Sequence, residues 1–248
     1  SVILAGILLK MGTYGFLRFS LPLLPETSRD PKVVSIMAAL SIIAIIYGAL
    51  VCLMQTDWKK LIAYSSVSHM GFCTLGIFAL NPPGVTGSII QQINHGVSTS
   101  MLFLIVGVVY ERRHTRLIAE YGGLFRVMPV FTAVFLIAAL SSMGMPPLNG
   151  FIGEITILRG VYEVSFWWAL ACGIGIALGA AYLLWLFQRT MLGELTSEKN
   201  RNLKDLNWRE VAYFSPLLAL VFWIGLYPAP FFRMLERNVA GMLEMVQR

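Results

Sequence analysis

The chain has 248 residues, of which 57% are hydrophobic and 13% charged, and a mean hydropathy of +0.71. A soluble domain carries about 25% charged residues, so this composition excludes an ordinary soluble enzyme and places the chain in a lipid bilayer. The formal net charge is +6, but the cations lie in short clusters between apolar runs, as loop bias in a membrane protein produces, and no nucleic-acid partner is expected.

A membrane-spanning helix needs about 20 apolar residues. The expected fold is therefore all-α and integral to the membrane, with about seven transmembrane segments at 1–23, 33–56, 61–80, 85–110, 127–161, 165–187 and 211–227. Ser1 opens directly into VILAGILLKMGTYGFLRF, without a start Met, a basic leader or a cleavable signal, so a piece of a longer protein is expected. The linkers PETSRDPK, DWKK and NPPG are short and predict antiparallel neighbours. The fifth segment is too long for one straight crossing, and Pro146, Pro147, Asn149 and Gly150 predict two half-helices joined by an unwound stretch. The stretch from Gly193 to Arg209 is read as the one long charged loop. Residues 1–230 form the membrane part. Residues 231–248 place Phe232, Leu235, Val239, Met242 and Val246 at intervals of three or four, which predicts an amphipathic surface helix.

Alternating the segments puts Lys59, Lys60, Arg112, Arg113, Arg116, Arg126, Arg189, Lys199, Arg201, Lys204 and Arg209 on one side. Arg18, Arg29, Lys32, Arg159, Arg233, Arg237 and Arg248 fall on the other. The more basic side is expected to be cytoplasmic, with the C-terminal tail outside.

Polar groups inside the spans carry the functional signal, because ionisable side chains at membrane depth cost about 2.5–3.5 kcal/mol on insertion scales. Lys10 lies near the centre of the first segment, where desolvation makes it able to release a proton; the plain alternative is a structural ion pair with an acid. Ser65 precedes His69 by one helical turn in the third segment, and Gln91, His95, Ser98 and Thr99 make a polar stripe in the fourth. Imidazoles accept and release protons near neutral pH, although each histidine also fits a hydrogen-bonded core position. Glu154, beside the break, is read as a protonation switch whose plain alternatives are a helix cap or an ion pair with Arg159. His114 in ERRHTR is read as a surface residue. Cys52, Cys73 and Cys172 lie in apolar segments without a metal or cluster spacing, and the chain lacks cofactor motifs; no cofactor or metal is expected on it.

The strings ILAGILLKMGTYGFLRF, QTDWKKLIAYSSVSHMGF, INHGVSTSMLFLIVGVVYERRHTR and MGMPPLNGFIGEITIL occur in order and together cover much of the chain. They resemble the antiporter-like membrane subunits of the proton-pumping NADH:quinone oxidoreductase, complex I, in particular the type called chain 4 or chain M. The resemblance implies a subunit of about fourteen helices in two inverted repeats, of which this chain is similar to the last seven. It implies a proton path in which Lys10 links two half-channels, His69 and His95 lie on the central hydrophilic axis, and Glu154 is near the exit. Lys59 matches a loop lysine with a structural or proton-entry role. NADH, FMN, iron–sulfur clusters and quinone are implied on partner subunits. The implied partners are the other membrane subunits, especially antiporter-like neighbours, in a bacterial plasma membrane or a mitochondrial inner membrane. Subunits of multi-subunit cation/proton antiporters and of energy-converting hydrogenases share this architecture and stand as alternatives, as does a passive structural subunit.

Overall fold

The computed structural model describes residues 2–195 and 197–247; Ser1 and Arg248, counted above in the first span and among the outer cations, lie outside the described residues. Its helices are α1 Lys10–Gly15, α2 Leu21–Leu23, α3 Pro25–Arg29, α4 Pro31–Leu53, α5 Trp58–Phe78, α6 Pro82–Arg113, α7 Pro129–Ser142, α8 Asn149–Val164, α9 Phe166–Met191, α10 Trp208–Leu226 and α11 Ala229–Gln247. Among the described residues there is no β-strand, only an isolated bridge between Asp57 and Leu117. Helices α4, α5, α6, α9 and α10 are long and apolar enough to cross a membrane, and with the broken pair α7/α8 they make an all-α integral membrane fold.

The short linkers become helix starts. Asp30 accepts from the Lys32 N–H at 2.8 Å, Asp57 from Lys60 at 3.0 Å and Asn81 from Gly84 at 2.9 Å; each satisfies a backbone donor that the first turn leaves open. Pro31 and Pro82 stand in first-turn positions, where the missing N–H costs nothing. PETSRDPK is not simply a linker: Pro25 nucleates α3 and Pro31 nucleates α4. A second long connection, 114–128, joins α6 to α7 through two 3-10 turns, so Gly193–Arg209 is not the sole long loop.

The first segment departs most from expectation. Instead of a continuous α-helix it alternates π-helical turns at Leu4–Leu8 and Phe16–Ser20 with α1 and α2. Such wide turns leave backbone carbonyls without their usual partners and concentrate at functional sites.

Helix α6 is central, packing against α5, α7, α8, α10 and α11. It meets α8 along small residues: a Cβ at Gly160 would run into the backbone of Gly84, and one at Gly153 into Gln91. This close backbone approach is the packing mode expected where lipid supplies no hydrophobic drive between helices. Trp58, Tyr121, Phe131 and Phe135 fill one end of the core, with ring centroids 5.7 Å apart for Trp58–Tyr121 and 5.3 Å for Trp58–Phe135.

The two ends of the bundle differ. At one, Arg112 grips Glu210 through Nη1 at 2.9 Å and Nη2 at 2.7 Å, Arg113 donates to Asn200 at 2.7 Å, and Arg116 pairs with Asp57 at 3.4 Å. This gathers the cations assigned above to the more basic side. At the other, Asn81 donates to the Gly160 carbonyl at 2.7 Å. There Val239 and Leu243 of α11 pack on Val85, and Val246 on Leu21, Ile77 and Phe78.

Candidate functional site

Glu154, His69 and His95 are buried, with 4%, 5% and 3% of their surface exposed, and Lys10 is half-buried. Four elements bring them together. The first segment carries Lys10, whose Nζ donates to the Ala5 carbonyl at 2.6 Å and lies 2.6 Å from His95 Nδ1. The π-turn explains the first of these bonds, since it leaves Ala5 within reach of a lysine five residues later. Among the described residues Lys10 has no acid partner; its side chain meets an imidazole and a carbonyl.

Helix α6 presents Gln91, His95 and Ser98 on one face, at the four- and three-residue steps of a helical stripe. The rings of His95 and His69 are 5.4 Å apart and tilted by 48°. On the far side, His69 Nδ1 lies 3.5 Å from Glu154 Oε1. That separation brings the groups within electrostatic reach, but Nδ1 makes no hydrogen bond. Gln91 Nε2 donates to the same carboxylate oxygen at 3.3 Å.

The other nitrogen of His69, Nε2, lies 3.4 Å from both the Ser142 and the Tyr182 hydroxyls. With those hydroxyls donating to Nε2, the proton sits on Nδ1 and faces Glu154. By the same reasoning a protonated Lys10 makes His95 Nδ1 an acceptor and puts the ring proton on Nε2. His95 Nε2, Gln91 Oε1 and Asn94 Oδ1 are buried without a hydrogen-bond partner among the described residues.

The break places the acid. Helix α7 ends at Ser142, residues 143–148 leave the helical path, and α8 begins at Asn149, so Asn149 and Gly150, predicted within the break, open the second half-helix. Asn94 Nδ2 holds the Asn149 carbonyl at 2.7 Å, and Ser141 bridges Ser98 at 2.7 Å and Asn149 Oδ1 at 2.6 Å. Gly144 has φ +73°, and a Cβ there would collide with the Glu154 carboxylate. Both plain readings of Glu154 fail: α8 has no side-chain cap at Leu148, and Arg159 pairs with Glu163 at 3.5 Å.

All four sequence-predicted residues thus lie in one series, ordered Lys10, His95, His69, Glu154. Lys59 stands apart, lining a cavity of about 480 Å³ with Glu111, Arg116 and Tyr213 at the basic end. His114 is exposed and caps α6 in the left-handed region at φ 52°. Sequence reading missed Tyr182 and Ser142, whose hydroxyls sit in otherwise apolar helices and carry no spacing signal.

Residues 1–179 match the transmembrane family described as NADH:quinone oxidoreductase/Mrp antiporter. The chain belongs to this family. Within it, the chain is 46% identical over 244 residues to NADH-quinone oxidoreductase subunit M of Rhodobacter capsulatus, covering 98% of this chain and 47% of that protein. It is also 46% identical over 244 residues to NADH-ubiquinone oxidoreductase chain 4 of Arabidopsis thaliana, covering 98% of this chain and 49% of that protein. A chain of respiratory complex I from Thermus thermophilus with bound NADH superimposes with a TM-score of 0.89 at 34% identity, over 96% of this chain and 50% of that one. The family likeness read from four motifs therefore extends along nearly the whole chain. The chain spans about half the length of the curated relatives it matches.

Proposed function

We propose that this chain forms the proton-releasing part of an antiporter-like subunit of a respiratory NADH:quinone oxidoreductase. The observation that carries the reading is the order of Lys10, His95, His69 and Glu154 along one polar line through the bundle. The proton starts on Lys10 Nζ and passes to His95 Nδ1 along the 2.6 Å contact. His95 then releases its Nε2 proton toward His69, whose Nε2, the ring nitrogen left without a proton, takes it up. His69 delivers its Nδ1 proton to Glu154, and the acid releases it to the outside. The two rings share no hydrogen bond, since His95 Nε2 has no partner among the described residues, and transfer between them needs a water; the 3.5 Å His69–Glu154 contact has to close by a few tenths of an ångström to become a hydrogen bond. The drive comes from partner subunits that bind NADH, FMN, iron–sulfur clusters and quinone, because moving one charge against 100 mV requires about 2.3 kcal/mol. The host membrane in this reading is a bacterial plasma membrane or a mitochondrial inner membrane.

Glu154→Gln, made in the full-length subunit of an assembled complex, keeps the carboxylate's shape and can still accept from Gln91, but has no titratable proton. It is expected to slow transfer at this step by about a hundredfold, read as loss of NADH-driven acidification in vesicles with the complex still assembled. Normal pumping in the assembled variant defeats the relay. A second reading, a cation/proton antiporter subunit, is favoured by the family's inclusion of Mrp antiporters; sodium-dependent proton exchange without NADH distinguishes it.

A further inference from the structure

Away from the relay, the C-terminal end of α9 presents Arg189 to a cavity of about 250 Å³ lined also by Thr56, Ile118, Ala119 and Tyr121. Its Nε and Nη2 are buried and have no hydrogen-bond partner among the described residues. These two nitrogens form the side-on edge of the guanidinium, whose parallel N–H bonds match two oxygens of one oxyanion. A buried donor pair of this kind is costly unless it is met by acceptors. The neighbouring groups do not supply them: no acceptor among the described residues, the Tyr121 hydroxyl oxygen included, lies within hydrogen-bond reach of either nitrogen.

The guanidinium is stacked on the Trp185 ring, 3.8 Å from its centroid. Trp185 and Leu184 are exposed on a helix that crosses the membrane, and Trp at a span end marks the headgroup level. Arg189 therefore sits where lipid phosphates lie, with an apolar helix face running from it into the hydrocarbon. The surrounding end of the bundle is rich in Lys and Arg, which favours a headgroup without a compensating cation.

We propose that Arg189 holds the phosphate of an anionic phospholipid, two phosphate oxygens accepting from Nε and Nη2, with the acyl chains along the Leu184–Trp185 face of α9. The inference is independent of the proton relay and survives its failure. The test is modification of Arg189 by phenylglyoxal, followed by peptide mass spectrometry on the purified, delipidated full complex. Vesicles of phosphatidylcholine containing phosphatidylglycerol, at ten times the half-protecting concentration, are expected to slow the modification about tenfold, and pure phosphatidylcholine vesicles to leave it nearly unchanged. Equal protection by both vesicles overturns the anionic preference, and protection by inorganic phosphate alone overturns the lipid. Failure of any addition to protect, or an Arg189 unreactive even after delipidation, assigns the fork to water or to a carboxylate of a partner chain and overturns the proposal.

Discussion

At the scale of single residues, the site divides into groups that declare themselves and groups that do not. Lys10 and Glu154 stand out because a charge inside an apolar run is expensive and therefore noticeable. His69 and His95 stand out through their polar neighbours on a helical face. Tyr182 offers no such contrast, since an aromatic in the run GAAYLLW reads as packing, and only the fold brings its hydroxyl to His69 Nε2 from 113 positions away. Tyr182→Phe leaves Ser142 as the remaining hydroxyl on Nε2 and removes about 1 kcal/mol of preference for the tautomer that faces Glu154. Proton pumping in the assembled complex is expected to fall several-fold relative to NADH oxidation. An unchanged ratio of pumped protons to oxidised NADH assigns Tyr182 to packing alone.

At the scale of elements, the broken fifth segment was legible because Pro146 and Pro147 cannot continue a helix and the segment was too long for one crossing. The π-turns of the first segment were not legible: LAGIL and FLRFS have the composition of any apolar helix, and the wide turn is chosen by tertiary contacts. Two connections departed from the reading: PETSRDPK holds a short helix, because the prolines that signal a turn also signal the next helix's start, and 114–128 is a second long connection. The α6–α8 contact makes a sharp prediction. Gly153→Ala puts a methyl against the Gln91 side chain and backbone. Overpacking of this kind costs about 1–3 kcal/mol, and a lower unfolding temperature of the detergent-solubilised subunit is expected. Because Gln91 donates to Glu154, the variant should also pump less. The loop 114–128 gives a pH prediction. Burial pushes the Tyr121 hydroxyl up to about 12, so the folded state holds this proton more tightly than the unfolded chain does. That stabilisation is complete below about pH 10 and is lost as pH rises through 12. Tyr121→Phe is expected to flatten the alkaline fall in stability over that window.

At the scale of the whole molecule, the two ends are chemically distinct. Ion pairs knit the basic end, where Glu210 accepts two bonds from Arg112 and completes the capping box with Asn207. Glu210→Gln leaves a partly buried guanidinium short of its counter-charge and is expected to destabilise the subunit by about 1–3 kcal/mol, measured by thermal unfolding. Sidedness is testable because the native cysteines are all buried. Lys199→Cys should react with an impermeant maleimide from the cytoplasmic face and Arg233→Cys from the opposite face. Reversed labelling defeats the charge-based orientation.

The π-turn beneath Lys10 also bears on how a relay here could run. A lysine on an ordinary helix is a long, loose tether that must swing to pass its proton. Here the Ala5 carbonyl clasps the amine from behind, and that bond persists whether the nitrogen is charged or neutral, since either form has an N–H to give. The donor atom is in effect bolted to the frame, so in the proposed relay the charge travels at this link while the side chain stays where it is.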